Sequence, residues 1–566
     1  MGTTLKADLI LKNAYVWTAD VRNPEAEAIA IYGDRILYVG ASESDRLDEL
    51  VDGDTKIINL QNKMVMPALF DSHLHISAVA KSGWFFIMTK EEHSTKESIK
   101  KALKKYALEH PKEEVPYIYA ESCPTVIMDD PEMTKEYIDD CVSDRPVLLC
   151  DYNYHRSLIN SKMLELLEIT GPDSFKGSEN RNFQYDENGD PTGIVDERAF
   201  EDIVDVMYEK VNWRPPSQAD GYVMLPFLDF LTKCGVCYVF DGVTEGEDTF
   251  IGLSQLQREG KLNHYYEGTR LIKEIGELEN AIAEIKNWQY KYGSPHINVN
   301  TLKVFLDGTN EIGTSALLEP YSNDPDGEFC GELEFSEEEM IKVFDRANDE
   351  KLDLQVHMVG DRAFRTALDA IEKAQHNAAK KGLEWVSKVI FLHCELIDPA
   401  DRGRVAPLGV FINWTPHWSG GDFGDVAKTY LGEERFNRMY SFNELISSGA
   451  TVGYGSDVVD MEEEERADPF LGIQIGHTRY DHLHDTGLVR PPESEKLSIH
   501  DLLMGYTINN AIAMGYDKNF GSLEAGKSSN LIVLNQNVFQ VKDDEISKTR
   551  PVFFLFDGKE LINELE

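Results

Sequence analysis

Two histidines separated by one residue, in Asp71-Ser72-His73-Leu74-His75, close an apolar run that begins at Val65. If that run is a β-strand, residues two apart face the same side, and His73 and His75 together could grip one metal ion. A pair of structural histidines fits the same spacing, so the motif gains weight only from what accompanies it. Three residues do accompany it: His357 ends LDLQVH, His393 ends KVIFLH and Asp457 ends TVGYGSD, each after a short apolar run. Imidazole and carboxylate together suit zinc and neighbouring divalent ions. Lys303, in NVNTLKVFLDG, lies inside another such run. A charged amine buried beside histidines and metal ions is strongly unfavourable, and its ordinary reading is a lysine paired with a carboxylate such as Asp307.

Residues so far apart in the chain need a scaffold that gathers them. Eight apolar runs qualify as strands: Val65 to His75, Gly235 to Asp241, His264 to Arg270, Ile297 to Leu306, Leu352 to Val359, Val389 to Glu395, Gly409 to Thr415 and Thr451 to Asp457. Longer helical patterns separate most of them, which predicts the α/β class and a (β/α)8 TIM barrel, although any one short run could be a buried helix segment. Active sites of such barrels lie at the carboxyl ends of the strands. Five candidate ligands from four strands would meet there.

About 160 residues separate the first strand from the second, far more than a βα connection requires. An inserted subdomain is therefore expected at about 85–220. Both ends of the chain carry short alternating runs broken by Gly, Asp and Asn, the pattern of hairpins. The division expected is 1–64 and 515–566 as two parts of one small composite β-sandwich domain formed by both termini, with the barrel at 65–514.

Composition limits the partners. The 566 residues hold 56 Lys and Arg against 100 Asp and Glu, a net charge of -44, which repels phosphate backbones and anionic lipid surfaces. Nucleic acid and membrane are thus not expected as partners, and no apolar run approaches the length of a membrane span. Seven scattered cysteines suit a reducing compartment, and Cys234 and Cys237, in GVCYVFDG, read as buried strand residues. The expected location is cytoplasmic and the expected partner a small-molecule substrate.

The motifs MPALFDSHLH, KVFLDG, HMVGDRA, LHCE, GSD and GSLEAGKSSNL, in this order, resemble those of the amidohydrolase superfamily of metal-dependent hydrolases, and within it the YtcJ-like branch that includes N-substituted formamide deformylase. The resemblance spans nearly the whole chain. It implies two divalent metal ions, zinc first, with Mn, Fe, Co or Ni able to substitute. His73 and His75 would hold one ion and His357 and His393 the other. Lys303, N-carboxylated by CO2, would bridge them as an anionic carbamate, which removes the objection to its burial. Asp457 would be both ligand and proton shuttle for metal-activated hydroxide. DYNYHRSLINSKML and GIVDERAF match two further motifs of the branch, so that His155 would bind the substrate or the oxyanion; a structural role is its alternative. Arg479, in IGHTRY, matches a family arginine without an assigned role.

Several positions depart from the family pattern. Ala68 stands where Gly is usual, Cys394 and Glu395 follow His393 in place of Ala-Gln, Val458 and Val459 follow Asp457 in place of Ala-Pro, and Asn530 replaces an Asp. Those after His393 and Asp457 fall beside the expected pocket. Trp84, Trp414, His417 and Trp418 are candidates to line it around an apolar substituent, with core packing as the alternative. The function expected from the resemblance is hydrolysis of a non-peptide C–N bond in an N-substituted amide, formamide or cyclic amide. An ester or carbamate hydrolase on the same site, a deaminase or lyase, and a non-catalytic barrel scaffold are the competing readings. The family also suggests a homodimer.

Overall fold

A computed structural model describes residues 5–565 except 83–84, 90–91, 129, 152–154, 173, 175–181, 198, 213–216, 421–425, 462 and 482–488. Its centre is a parallel eight-stranded sheet. In chain order the strands are β1 (Leu69–Leu74), β2 (Val236–Asp241), β3 (Tyr265–Ile272), β4 (Ile297–Phe305), β5 (Asp353–Met358), β6 (Val389–His393), β7 (Phe411–Trp414) and β8 (Thr451–Tyr454). Each pairs with its sequence neighbour. Just past β8, Asp457 N donates to His73 O at 2.8 Å and His75 N donates to Val458 O at 3.0 Å, so the ends of β1 and β8 meet. A Cβ at Gly455 would lie 2.5 Å from His73 N, which explains a glycine at that seam.

Helices Glu247–Arg258, Leu278–Tyr292, Glu337–Glu350 and Asp361–Lys380 alternate with β2 to β6. They face the barrel with residues such as Phe250, Leu253, Ile285, Val343, Phe364 and Ile371, all buried in the main core. Ser336 and Glu339 form a reciprocal cap at the start of Glu337–Glu350, satisfying backbone donors that would otherwise be orphaned. All eight expected barrel strands are present, with one difference at the first. The run from Val65 is two strands: Met64–Pro67 pairs antiparallel with Leu531–Leu534, and only Leu69–Leu74 enters the barrel. Pro67 cannot donate to a ladder, and the chain changes sheets there.

Both termini build one mixed sheet in the order Lys559–Asn563, Pro551–Phe556, Leu531–Leu534, Met64–Pro67, Leu9–Trp17, Glu25–Tyr32 and Arg35–Gly40, with Lys56–Asn59 also paired to Leu9–Trp17. It is a single continuous sheet rather than two separate ones. Residues from both ends, including Leu11, Ile29, Val65, Val533 and Phe553, share one core beneath it. Asn530 belongs to this junction: its O accepts from Ala68 N and its Nδ2 donates to Tyr238 Oη.

Between β1 and β2 lies a third sheet, in the order Asn182–Tyr185, Pro191–Asp196, Arg156–Ile159, Val147–Asp151, Ile118–Cys123 and Phe86–Ile87. It has hydrophobic clusters of its own on its two faces. All seven cysteines are unpaired; Cys234 and Cys237 are both buried, but only Cys237 lies in a strand, β2, whereas Cys234 caps the end of the helix Leu225–Lys233. Among the described residues, no helix is long and apolar enough to cross a membrane.

Candidate active site

The carboxyl ends of the barrel strands open into a cavity of about 900 Å3, lined by His73, His75, Lys303, His357, His393, Asp457 and His155 together with residues of the inserted sheet. Three of these imidazoles gather on the Asp457 carboxylate. One oxygen lies 3.2 Å from His73 Nε2 and 3.0 Å from His75 Nε2, and the other lies 3.7 Å from His393 Nδ1. The His357 and His393 rings are 4.5 Å apart, and His73 and His393 are 5.3 Å apart. Gly242, just after β2, leaves room for this cluster, because a Cβ there would overlap the His73 ring and approach His75 Cε1 to 3.1 Å. His393, Cys394 and Asp457 all have positive φ, at 66°, 48° and 54°. Left-handed backbone at non-glycine residues is costly and persists where the surroundings impose it, as they do here at two candidate ligands.

Burial sets the charge states. It pushes His73 down to about 4, with the Lys303 charge acting in the same direction, and it takes His357 and His393 well below the usual imidazole range. Burial alone would raise the Asp457 carboxyl, yet the surrounding histidines hold it well below the carboxylate range. Neutral imidazoles around an ionised carboxylate are the ligand states a divalent cation requires. Lys303 is fully buried, and its Nζ has no hydrogen-bond partner. Burial lowers its pKa to about 7, opposed only by Asp457.

These residues fit a metal centre. His73, His75 and Asp457 each offer one ligand atom, all within 4.8 Å of one another. His73 Nδ1, His393 Nδ1 and Lys303 Nζ are buried without hydrogen-bond partners. His357 Nε2 is 3.3 Å from Gly308 O, and its ring stands between those of His155 and His393. The donor set is nitrogen and oxygen throughout, as zinc and its neighbours accept.

The inserted sheet brings His155 to this place. Its Nδ1 is 2.7 Å from Glu197 Oε2, and its ring centroid is 5.7 Å from that of His357. Burial would lower His155, but Glu197, then Asp151 and Glu311, raise it to about 9, so it is a cation at neutral pH. Phe85, Tyr119 and Tyr208 from the same subdomain also line the cavity.

Other expectations divide. Trp418 lines the cavity and stacks on His393, with centroids 5.2 Å apart and planes 17° apart, and His417 lines it too. Trp414 is core, fully buried and stacked on Phe442. Trp84 lies outside the described residues. Arg479 is also buried, donating to the backbone oxygens of Tyr440, Arg490 and Pro491, so its role is to hold chain segments together.

Sequence reasoning singled out His155 and quoted GIVDERAF, which contains Glu197, without pairing the two. It gave no signal for Thr309 and Glu311, which lie beyond β4 and also line the cavity. Asp71 stands behind the site, accepting from His73 N and Ser456 N.

A model of the amidohydrolase family matches residues 56–562. The chain belongs to the amidohydrolase family. The putative amidohydrolase YtcJ of Bacillus subtilis (strain 168) is 25% identical over 522 residues, covering 90% of this chain and 92% of the relative. The N-substituted formamide deformylase of Arthrobacter pascens is 23% identical over 579 residues, covering 98% of each. An uncharacterised metal-dependent hydrolase from Pyrococcus horikoshii OT3 superposes with a TM-score of 0.68 at 25% identity, covering 95% of this chain and 99% of that one. As a family member the chain is a hydrolase, and the family implies a divalent metal.

Proposed function

We propose that this amidohydrolase cleaves a non-peptide C–N bond in a small N-substituted amide, formamide or cyclic amide. The observation that carries the reading is the Asp457 carboxylate shared by His73, His75 and His393 beside an unpartnered, buried Lys303. His73, His75 and Asp457 would hold one divalent ion and His357 and His393 a second. Lys303 as its carbamate would serve both. Such ions supply Lewis acidity toward the carbonyl and lower the pKa of water toward about 7.

The chain's own residues supply the rest. With a pKa near 7, the Lys303 amine has a neutral fraction able to attack CO2, forming an N–C bond and releasing one proton. Asp457 takes the proton of the attacking water and returns it to the departing nitrogen. His155, kept cationic by Glu197, donates from its other ring nitrogen to the carbonyl oxygen as negative charge grows there. Phe85, Tyr119, Tyr208 and Trp418 enclose the substrate and limit water.

Esters and carbamates offer the same carbonyl and belong in the substrate panel. A non-catalytic scaffold would gain nothing from a fully buried amine without a hydrogen-bond partner, which favours the enzymatic reading. Unpaired cysteines support a cytoplasmic setting. The test is a screen of formamides, acylated amines and lactams with zinc-loaded protein. Turnover that is lost in Asp457→Asn with metal content retained supports the assignment. An Asp457→Asn enzyme with normal turnover refutes it.

A further inference from the structure

The wall of the cavity beyond β4 and β6 contains polar atoms that the hydrolytic chemistry leaves unused. Thr309, Glu311 and Glu395 all line the cavity and are 8%, 3% and 3% exposed. Glu311 Oε1 and Thr309 Oγ1 are buried with no hydrogen-bond partner. The wall is built firmly: Asn310 Nδ2 donates to Glu395 Oε2 at 2.9 Å, and Ser315 Oγ donates to Asn310 Oδ1 at 2.7 Å. A carboxylate and a hydroxyl oxygen facing a cavity accept hydrogen bonds, and burial makes an unmatched carboxylate costly.

One guanidinium, Arg490, lies near both carboxylates. The His155 cation also reaches Glu311 but is already paired with Glu197. Burial pushes Glu311 up to about 7 and Glu395 well above the usual carboxylate range, so a bound cation would have to draw these acids into their ionised forms. Of the wider lining's cations, Lys81, Arg270 and Arg466 are each matched to a glutamate.

We propose that Thr309, Glu311 and Glu395 form a subsite for a cationic arm of the substrate, an ammonium or guanidinium group carried on the amide that the metal site cleaves. The substrate class rests on the hydrolase reading, whereas the cation subsite can be tested without turnover.

The binding test is calorimetry of the metal-loaded protein with propylguanidinium and with its neutral isostere propylurea. Charge-assisted hydrogen bonds predict that the guanidinium binds at least about tenfold more tightly. Glu311→Gln should remove most of that preference, and Thr309→Val, which leaves the carboxylates in place, should remove a smaller part. Equal binding of the two probes overturns the proposal, as does a preference that survives Glu311→Gln. Displacement of the guanidinium by Mg2+ or Ca2+ at stoichiometric levels also overturns it, because the wall would then be an inorganic cation site. In parallel, a formamide bearing a guanidinopropyl arm is compared with its ureidopropyl analogue. If neither is hydrolysed the amidase reading fails while calorimetry still decides the subsite. If both are hydrolysed with equal kcat/KM and bound equally, the subsite fails and the amidase reading stands.

Discussion

Replacing Lys303 by Met should do two opposite things: abolish the metal centre and stabilise the metal-free fold. The amine is fully buried, and its Nζ has no hydrogen-bond partner. Its pKa falls from 10.5 to about 7 because burial disfavours the charged form. At about 1.36 kcal/mol per pKa unit, that drop makes Lys303 destabilising by about 4 kcal/mol at neutral pH in protein stripped of metal and carbamate. For a lysine whose folded-state pKa is depressed, the penalty is full below pH 7 and disappears as the pH approaches 10.5. Met keeps most of the aliphatic volume, so little packing is lost. The assay is Tm of chelated wild type and Lys303→Met between pH 6.5 and 10, with metal content measured on both before chelation. The variant should melt higher at pH 6.5 to 7 and the gap should close with rising pH, while its metal content and activity fall. Equal Tm values across the range would refute the burial argument, and unchanged metal stoichiometry would refute the bridging role.

Three further outcomes follow from the geometry. Asp457→Asn should reduce kcat by about two to four orders of magnitude, the usual worth of a positioned proton carrier, with metal content measured alongside. With His155 raised to about 9, its cation persists below that pH and is lost above it, so kcat should fall through an alkaline limb near pH 9. That limb should disappear from the pH profile of His155→Gln along with part of the rate. Gly242→Ala places a methyl group against His73 and near His75 and should lower metal occupancy while far-ultraviolet circular dichroism stays unchanged.

The barrel was legible because parallel strands buried on both faces read as apolar runs, several of them with a His or Asp at or near the end. His73, His357, His393 and Asp457 were singled out by their position at or near strand ends, and the structure sets His73 and His393 against the Asp457 carboxylate with His357 beside His393. Lys303 was intelligible only through the family resemblance, since spacing alone allows a lysine paired with Asp307. In the structure Asp307 instead accepts backbone donors from Ala316, Val359 and Gly360. The split of the first strand at Pro67 was hidden because both halves are equally apolar. The pairing of His155 with Glu197 joins residues 42 apart in the inserted sheet, and no local pattern shows that distance closing to 2.7 Å. Thr309 and Glu311 sit in a loop, where side-chain direction depends on tertiary packing rather than periodicity.

The most direct test is the metal-to-protein ratio of the purified, unchelated chain, followed through removal and restoration of the ions while hydrolysis of a formamide panel is monitored. Two divalent ions per chain, with hydrolysis lost on chelation and recovered on reloading with zinc and bicarbonate, is the expected result. A chain that binds no stoichiometric divalent ion under any loading condition, or hydrolyses equally well without one, would contradict the assignment of these residues to a metal centre.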